Sequence, residues 1–262
     1  MWGVSQGTIL GPLLFLIYIN DLPNCLSSFH PRMYADDIHI TYAEADLSSI
    51  QSNLNQDLSN LSKWLTSNKL TLNATKTEFM LIGSRQRLST LPDTLELSIN
   101  NVPINRVSSV KSLGVLIDEN LTWQTHIDKL STKIESGIGA IKRIRSFVPS
   151  ATLLYIYSAL IQPHFDSAAI LSGVLNCGKT LSSRLQKLQS RAARVLTFFS
   201  YNTDAKGLIR QLGWKDLYTQ RQIQKALMVY KSLNVLVPEY VSSKFLQRSG
   251  MRYSLRDSEN KL

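Results

Sequence analysis

The residues best suited to chemistry are two adjacent carboxylates, Asp36 and Asp37, which follow Tyr34 and Ala35 between two short apolar runs. This pattern predicts two strands joined by a tight turn, with both acids at the tip of the hairpin. Two carboxylates about 4 Å apart repel by roughly 4 kcal/mol at an effective dielectric constant of about 20, and a hard cation such as Mg²⁺ removes that repulsion. A solvated turn explains the same residues without a ligand, because Asp favours turns. These four residues alone leave both interpretations open.

A second turn carries a cation. Lys76 lies in the segment 74–77, between two predicted strands at residues 70–73 and 78–83. It is either a solvated turn lysine or a cation directed at a phosphate, and the neighbouring residues do not decide between these interpretations.

The elements around these turns can be predicted from apolar spacing. Residues 9–19 are apolar all round, so we expect a helix that is buried on most sides. Leucines and isoleucines then recur at helical spacing over about 20 residues, which predicts an amphipathic helix; they are Leu47, Ile50, Leu54, Leu58, Leu61 and Leu65.

More strands are predicted before residue 120. Residues 84–94 form a polar loop in this prediction, and residues 95–99 form a strand whose hairpin turn is Asn100-Asn101. Residues 110–118 form a further strand, in which Gly114 indicates a bulge or a close backbone approach.

Helical patterns dominate after residue 120. One apolar face runs from Trp123 to Ile144 and ends in a group of cations, Lys142, Arg143 and Arg145. A short helix over residues 153–161 is expected to stop before Pro163. A basic helix over residues 181–199 carries four cations at spacings of 3, 4 and 3, which predicts one cationic face; they are Arg184, Lys187, Arg191 and Arg194.

Charge divides the chain in the same place. Residues 1–120 carry 8 Lys and Arg against 11 Asp and Glu, and residues 121–262 carry 21 against 8. The net charges are therefore −3 and +13, which together give the +10 of the whole chain. A basic second half suits a phosphate-rich partner, although ordinary solvated helix faces rich in Lys and Arg give the same count.

Targeting features are sparse. Cys25 and Cys177 form no disulfide framework and no Cys-rich zinc site, the first residues do not resemble a signal peptide, and the apolar run 9–19 is too short to span a bilayer. We therefore expect an intracellular protein, nuclear or cytoplasmic, that is not secreted and has no membrane partner.

Several motifs occur in a fixed order: GVSQGTILGPLLF at 3–15, YINDL at 18–22, YADD at 34–37, NATKTE at 73–78 and SLGVLID at 112–118. In order and spacing they resemble the reverse transcriptases of non-LTR, LINE-type, jockey-like retrotransposons. The resemblance continues more loosely to about residue 235. It implies an α+β fold, in which a partial polymerase palm with an antiparallel sheet and packed helices precedes a mainly helical, thumb-like region.

The resemblance also implies roles for individual residues. Asp36 would be a ligand of the catalytic Mg²⁺ ions and Asp37 its less direct companion, while Lys76 would lie near the nucleotide phosphates. Gln6, Gly7 and Tyr34 would contact the templating pair and the incoming nucleotide, and the hairpin containing Leu113, Gly114 and Val115 would grip the primer end. The cations Lys142, Arg143, Arg145, Arg184, Lys187, Arg191 and Arg194 would hold the nucleic-acid backbone.

The implied partners are an RNA template, a DNA primer and deoxynucleoside triphosphates. Two-metal catalysis needs carboxylates from two places in the chain. The family supplies another Asp from an earlier palm strand, whereas the first acid here is Asp21. We therefore expect an N-terminally truncated polymerase that is inactive alone, lacking its fingers and first palm strand and possibly following an endonuclease.

The predicted division is a partial palm at 1–119, a helical thumb and basic region at 120–235, and a loosely ordered basic tail at 236–262. The alternative to a polymerase is a non-catalytic, nucleic-acid-binding remnant of a retrotransposon.

Overall fold

The computed structural model describes residues 7–29, 31–91, 95–167 and 178–245. The chain divides into two compact units, residues 1–121 and 122–262. The first unit mixes helices with short strand pairs, and the described part of the second contains helices. The predicted α+β class is therefore confirmed, while the assignment of palm, thumb and tail stays a prediction.

The described residues of the first unit form three α-helices, α1 (Gly11–Ile19), α2 (Leu47–Ser67) and α3 (Arg85–Thr90). Three of its strand pairs are antiparallel: β1 (Arg32–Tyr34) with β2 (Asp37–His39), β4 (Ser98–Ile99) with β5 (Val102–Pro103), and β7 (Ser109–Ser112) with β8 (Val115–Asp118). A parallel pair joins β3 (Glu78–Phe79) to β6 (Asn105–Arg106). Short 3₁₀ turns cover Leu22–Cys25 and Ala74–Lys76.

Helix α2 confirms the predicted amphipathic helix, and two of the apolar clusters of the first unit lie along it. Its first turn is capped by Asp46, whose carboxylate accepts the backbone N–H of Ser49 at 2.9 Å. Hydrogen bonds from the Ser48 hydroxyl and from Ser49 lower the pKa of Asp46 to about 2. The stripe residues Leu58, Leu61 and Leu65 are buried in two small apolar clusters along the helix.

A buried carboxylate ties α2 to the turn before the first hairpin. Asp57 is fully buried and accepts the backbone N–H groups of Ser27 and Ser28, each at 2.9 Å. These bonds satisfy both carboxylate oxygens, which would otherwise be costly to bury. The chain that leads into β1 is therefore fixed against α2 by a polar contact as well as by apolar packing.

Helix α1 is where the burial prediction was wrong. Ile19 is buried and Phe15 packs on the cluster beside α2. Ile17, however, is 67% exposed, and Leu14 and Leu16 are also exposed. An all-round apolar helix was expected to be enclosed. Among the described residues, neighbours cover only the side that faces α2, so most of its apolar surface meets solvent.

The two strands predicted over residues 70–83 are confirmed only at β3, Glu78–Phe79. Residues 70–73, all described, form no strand, and Leu70 and Leu72 pack on the clusters beside α2. β3 pairs with β6 instead.

The loop predicted at residues 84–94 contains α3. The Ser84 hydroxyl caps this helix by accepting the backbone N–H of Arg87 at 3.3 Å. The polar composition suggested a loop, but Ser84 is a residue type that can cap a short helix.

The second unit contains α4 (Gln124–Ile144), α5 (Ser150–Leu160), α6 (Lys179–Leu196), α7 (Ala205–Gln211), α8 (Leu217–Leu233) and α9 (Glu239–Ser242). The apolar face predicted for α4 is confirmed, since Ile127, Ile134 and Ile138 are almost fully buried. Helix α5 ends at Leu160, before Pro163 as predicted, but residues 162–167 are helical again. Proline is tolerated in a first turn, where its missing N–H has no partner in the helix.

Helix α6 contacts α4, α5, α7 and α8. Its buried Gln189 donates from Nε2 to the Lys215 carbonyl at 2.9 Å, and Gln186 Oε1 accepts the Leu217 N–H at 3.0 Å. Both bonds fix the start of α8 to the middle of α6. None of the helices in the described ranges is both long enough and apolar enough to cross a membrane.

Two glycines of α4 provide a matched test of the packing in the second unit. A Cβ added to Gly137 would lie 2.8 Å from Cγ1 of the buried Ile161, whereas a Cβ on Gly139 meets nothing within 4 Å. Gly139→Ala should stabilise the protein by about 1 kcal/mol through helix propensity. Gly137→Ala should destabilise it, because overpacking costs about 1–3 kcal/mol.

Urea unfolding followed by far-ultraviolet circular dichroism measures both variants. Equal stabilisation by the two substitutions would contradict the close approach of α4 to Ile161.

Candidate metal-binding turn and cationic groove

The β1–β2 hairpin places the acidic pair as the sequence predicted. Tyr34 pairs with Asp37, so the turn consists of Ala35 and Asp36. Ala35 has φ 52°, in the left-handed region that costs a non-glycine residue roughly 1–2 kcal/mol. Such a conformation persists only where the flanking structure holds it.

Apolar packing holds the hairpin. Met33, Ile38 and Ile40 pack on the cluster that contains Leu61 and Leu65 of α2. Side chains alternate across a strand, so the packing of Ile38 on α2 directs Asp37 to the opposite, exposed side of β2. Asp36 is exposed because it lies in the turn itself. A polar contact also holds β2, because His39 Nε2 lies 3.3 Å from the Ser112 hydroxyl of β7.

The two carboxylates can act as oxygen ligands for a hard cation. Both residues are exposed, and Tyr34 beside them is 65% exposed. The described residues contain no cluster of three or more His, Cys, Asp or Glu side chains that could hold a metal ion. Two adjacent carboxylates can supply oxygen ligands to a divalent ion only if water completes its coordination, which makes a weak site.

Lys76 ends a 3₁₀ turn and its side chain is exposed. Its backbone N–H donates to the Asn73 carbonyl at 3.1 Å, and the Thr77 hydroxyl donates to the same carbonyl at 3.0 Å. The turn is thus well fixed. The structure does not bring the Lys76 side chain into a hydrogen bond or ion pair with the acidic pair, as far as the described residues show.

The predicted template-contacting turn is only partly visible. Gln6 lies outside the described residues. Gly7 is described, is exposed and has φ 94°, a backbone conformation that strongly favours glycine.

The segment around Gly114 differs from its prediction as one bulged strand. Leu113 at φ 45° and Gly114 at φ 86° form a two-residue turn between β7 and β8, and Ser112 pairs with Val115. Positive φ at both central positions suits the twist of a tight hairpin, which explains the glycine. The exposed Leu113 therefore stands at the tip of a hairpin.

The predicted cations fall into two groups. Lys142 of α4 and three residues of α6, Lys187, Arg191 and Arg194, line one cavity of about 800 Å³, which we call the cationic groove. Its other lining residues are Ser183, Gln186, Leu188, Ser190 and Tyr201. None of these lining residues, all within the described ranges, is acidic.

The other predicted cations do not line this groove. Arg184 forms an ion pair with Asp128 of α4. Arg145 donates from Nη1 to the Val195 carbonyl at 3.2 Å and lies over the Phe198 ring, 5.1 Å from its centroid. Arg143 is exposed near the C-terminal end of α4.

Sequence reasoning missed Tyr201. It lines the cationic groove from the loop between α6 and α7. A run of aromatic residues directly after the basic helix, Phe198, Phe199 and Tyr201, was the available indication.

Comparison with known proteins agrees with the motif order. Residues 2–117 match the family model for "Reverse transcriptase (RNA-dependent DNA polymerase)". This match covers the acidic hairpin, the Lys76 turn and most of the β7–β8 hairpin.

Curated relatives extend the similarity into the second unit. The chain is 26% identical over 202 residues to the Drosophila melanogaster protein named "Probable RNA-directed DNA polymerase from transposon X-element", covering 74% of this chain and 22% of the relative. It is 28% identical over 223 residues to the corresponding protein from transposon BS of the same species, covering 80% and 24%. It is 23% identical over 205 residues to the "RNA-directed DNA polymerase from mobile element jockey" of Drosophila funebris, covering 74% and 22%.

The chain thus spans less than a quarter of the length of these relatives. No solved structure gives a significant match.

Proposed function

Because residues 2–117 of this chain belong to the reverse transcriptase (RNA-dependent DNA polymerase) family, we propose that it is the part of a retrotransposon polymerase that supplies metal-binding carboxylates and holds template–primer. In this proposal the first unit is a partial palm and the second a thumb-like region. The partners are an RNA template, a DNA primer and deoxynucleoside triphosphates, in the nucleus or the cytoplasm.

The observation that carries the proposal is the exposed Asp36-Asp37 pair on a tight turn that is packed on α2 through Met33 and Ile38. The turn has apolar packing on α2 and a left-handed Ala35, the conformation that a two-residue hairpin turn requires. Both features fix the position of carboxylates that otherwise repel each other, and a bound cation offsets that repulsion.

A divalent ion such as Mg²⁺ would be held by Asp36, with Asp37 as its less direct companion. When bound, it would stabilise the negative charge that develops as a phosphoryl group is transferred. The contribution of the chain itself is to present the carboxylate oxygens to solvent on a fixed backbone. Asp57 supports this role indirectly, because it fixes the Ser27–Ser28 backbone that leads into β1.

The remaining first-unit residues keep their proposed roles. Lys76 would approach the nucleotide phosphates, Gln6 and Gly7 would contact the templating pair, and the β7–β8 turn at Leu113 and Gly114 would contact the primer end. The exposed Lys76 side chain and the projecting Leu113 are compatible with contacts to a ligand outside the unit.

The second unit would hold the nucleic-acid backbone. Cations that converge on a groove without acidic residues attract a phosphate chain independently of its sequence, and this attraction weakens with salt. The groove cations Lys142, Lys187 and Arg191 are exposed and suited to this task. Arg145 and Arg184, by contrast, contact the protein itself.

The first prediction from this proposal concerns polymerisation. Two-metal catalysis needs ligands from a second place in the chain, and the described residues around the turn supply one carboxylate pair. The purified chain with an RNA template, a DNA primer and Mg²⁺ should extend the primer no faster than its Asp36→Asn variant. Labelled-nucleotide incorporation measures this, with Asp21→Asn as a control at another exposed acid.

Robust incorporation that Asp36→Asn abolishes and Asp21→Asn preserves would contradict the expected inactivity. It would show that this chain carries a complete polymerase site.

A further prediction concerns the groove cations. The double variant Lys187→Gln/Arg191→Gln removes two phosphate contacts, so the slope of log K against log salt should fall by about 1.5–2 for a duplex oligonucleotide. Fluorescence anisotropy at several salt concentrations gives the slope. Lys129→Gln/Lys133→Gln removes the same charge from exposed positions of α4 that do not line the groove.

The matched control should change the slope far less than the groove variant. Equal slopes for the two double variants would mean that net charge, and not the groove, holds the backbone.

A further inference from the structure

An aromatic ring stands at the edge of the cationic groove. Tyr201 lines the groove and is 82% exposed. The Arg194 guanidinium lies 5.5 Å from the centroid of its ring, and Arg194 Nε donates to the Thr203 carbonyl at 2.9 Å. Arg194 therefore supports the loop and one face of the ring, while the high exposure of Tyr201 leaves the other face open.

The loop that carries Tyr201 is closed by its own hydrogen bonds. The Thr203 backbone N–H donates to the Ser200 carbonyl at 3.2 Å, and the two hydroxyls of Ser200 and Thr203 lie 3.2 Å apart. Asp204 then caps α7 by accepting the Lys206 N–H at 3.3 Å. Tyr201 thus projects from a short, fixed turn between two helices, and little ordering is needed when a ligand contacts it.

An exposed ring beside a cationic groove is the arrangement that recognises unpaired nucleotides. The cations attract the backbone, and a base stacks on the aromatic face regardless of its identity. In a duplex the base faces are stacked on each other, so only edges and phosphates are available. The cavity of about 800 Å³ leaves room for an unpaired base beside the ring.

We propose that the cationic groove of the second unit is a single-strand binding site, in which an unpaired base of DNA or RNA stacks on Tyr201 while Lys142, Lys187 and Arg191 contact its backbone. This inference rests on the proposed nucleic-acid function and adds to it a preference for single strands. Arg194 acts here as a positioning residue, because it holds the ring and the turn.

The test compares three fluorescein-labelled oligonucleotides in anisotropy titrations of the whole chain: an oligothymidine, an oligouridine and a blunt hairpin duplex with the same number of phosphates. Loss of one stacked base costs roughly five- to 150-fold in affinity. Tyr201→Leu, which keeps apolar bulk without a ring, should weaken single-strand binding at least about fivefold and leave duplex binding within about twofold.

Two further variants separate stacking from folding. Tyr201→Phe keeps the ring and should bind single strands within about twofold of the unchanged chain. Tyr155→Leu alters a tyrosine that is 77% exposed on α5 and does not line the groove, and it should have no effect.

The inference is overturned if Tyr201→Leu weakens single-strand and duplex binding equally, or if Tyr201→Phe loses as much affinity as Tyr201→Leu. A loss in Tyr155→Leu equal to that in Tyr201→Leu also overturns it. In each of these cases a duplex affinity that still depends on Lys187 and Arg191 leaves the proposed nucleic-acid function standing. Failure of all three oligonucleotides to bind would overturn both. Preference for oligothymidine or for oligouridine would identify the strand as DNA or RNA within the proposal.

Discussion

Burial of one side of the β1–β2 hairpin against α2 is the constraint on which the acidic site depends. Met33, Ile38 and Ile40 contact the α2 cluster, so the alternation of β2 exposes Asp37, and Asp36 is exposed at the tip of the turn. A shift of one residue in register would exchange the two faces of the strands and turn Asp37 toward α2. The buried Asp57 strengthens the same arrangement, because it fixes the backbone that enters β1. The position of the carboxylates therefore depends on contacts with α2, which follows the hairpin in the sequence.

Much of this could be predicted because the patterns were strong and local. The acidic hairpin, the leucine stripe of α2 and the apolar face of α4 each repeat at the period of their element. The exposure of α1 could not be predicted, since apolar composition does not say whether another element of the structure covers Ile17 and the residues beside it. The pairing of β3 with β6 could not be predicted because it is short and joins distant parts of the sequence. The turn at Gly114 could not be recognised without knowing that Ser112 pairs with Val115. Tyr201 belongs to no periodic pattern, so only the structure places it at the groove.

The acidic and the basic halves of the sequence correspond to the two units, and the charged residues of each unit have different surroundings. In the acidic half, the exposed pair lies on a turn held by apolar packing. In the basic half, some cations contact the protein itself and others line the cationic groove. Arg184 and Arg145 are engaged with Asp128 and with the Val195 carbonyl, whereas Lys142, Lys187 and Arg191 line an open groove. Counting charges would have assigned all of them to nucleic acid, and the contacts show which ones remain available.

The central claim is the proposal that the Asp36-Asp37 turn is the metal-binding element of this chain, and its most direct test is the location of a bound ion. Mn²⁺ takes the same carboxylate and water ligands as Mg²⁺ and broadens nearby amide resonances in nuclear magnetic resonance spectra. Titration of the isotopically labelled chain should broaden residues 34–39 first, and Asp36→Asn should remove that selectivity. Broadening that begins at another group of acids, or that is unchanged in Asp36→Asn, would contradict the assignment.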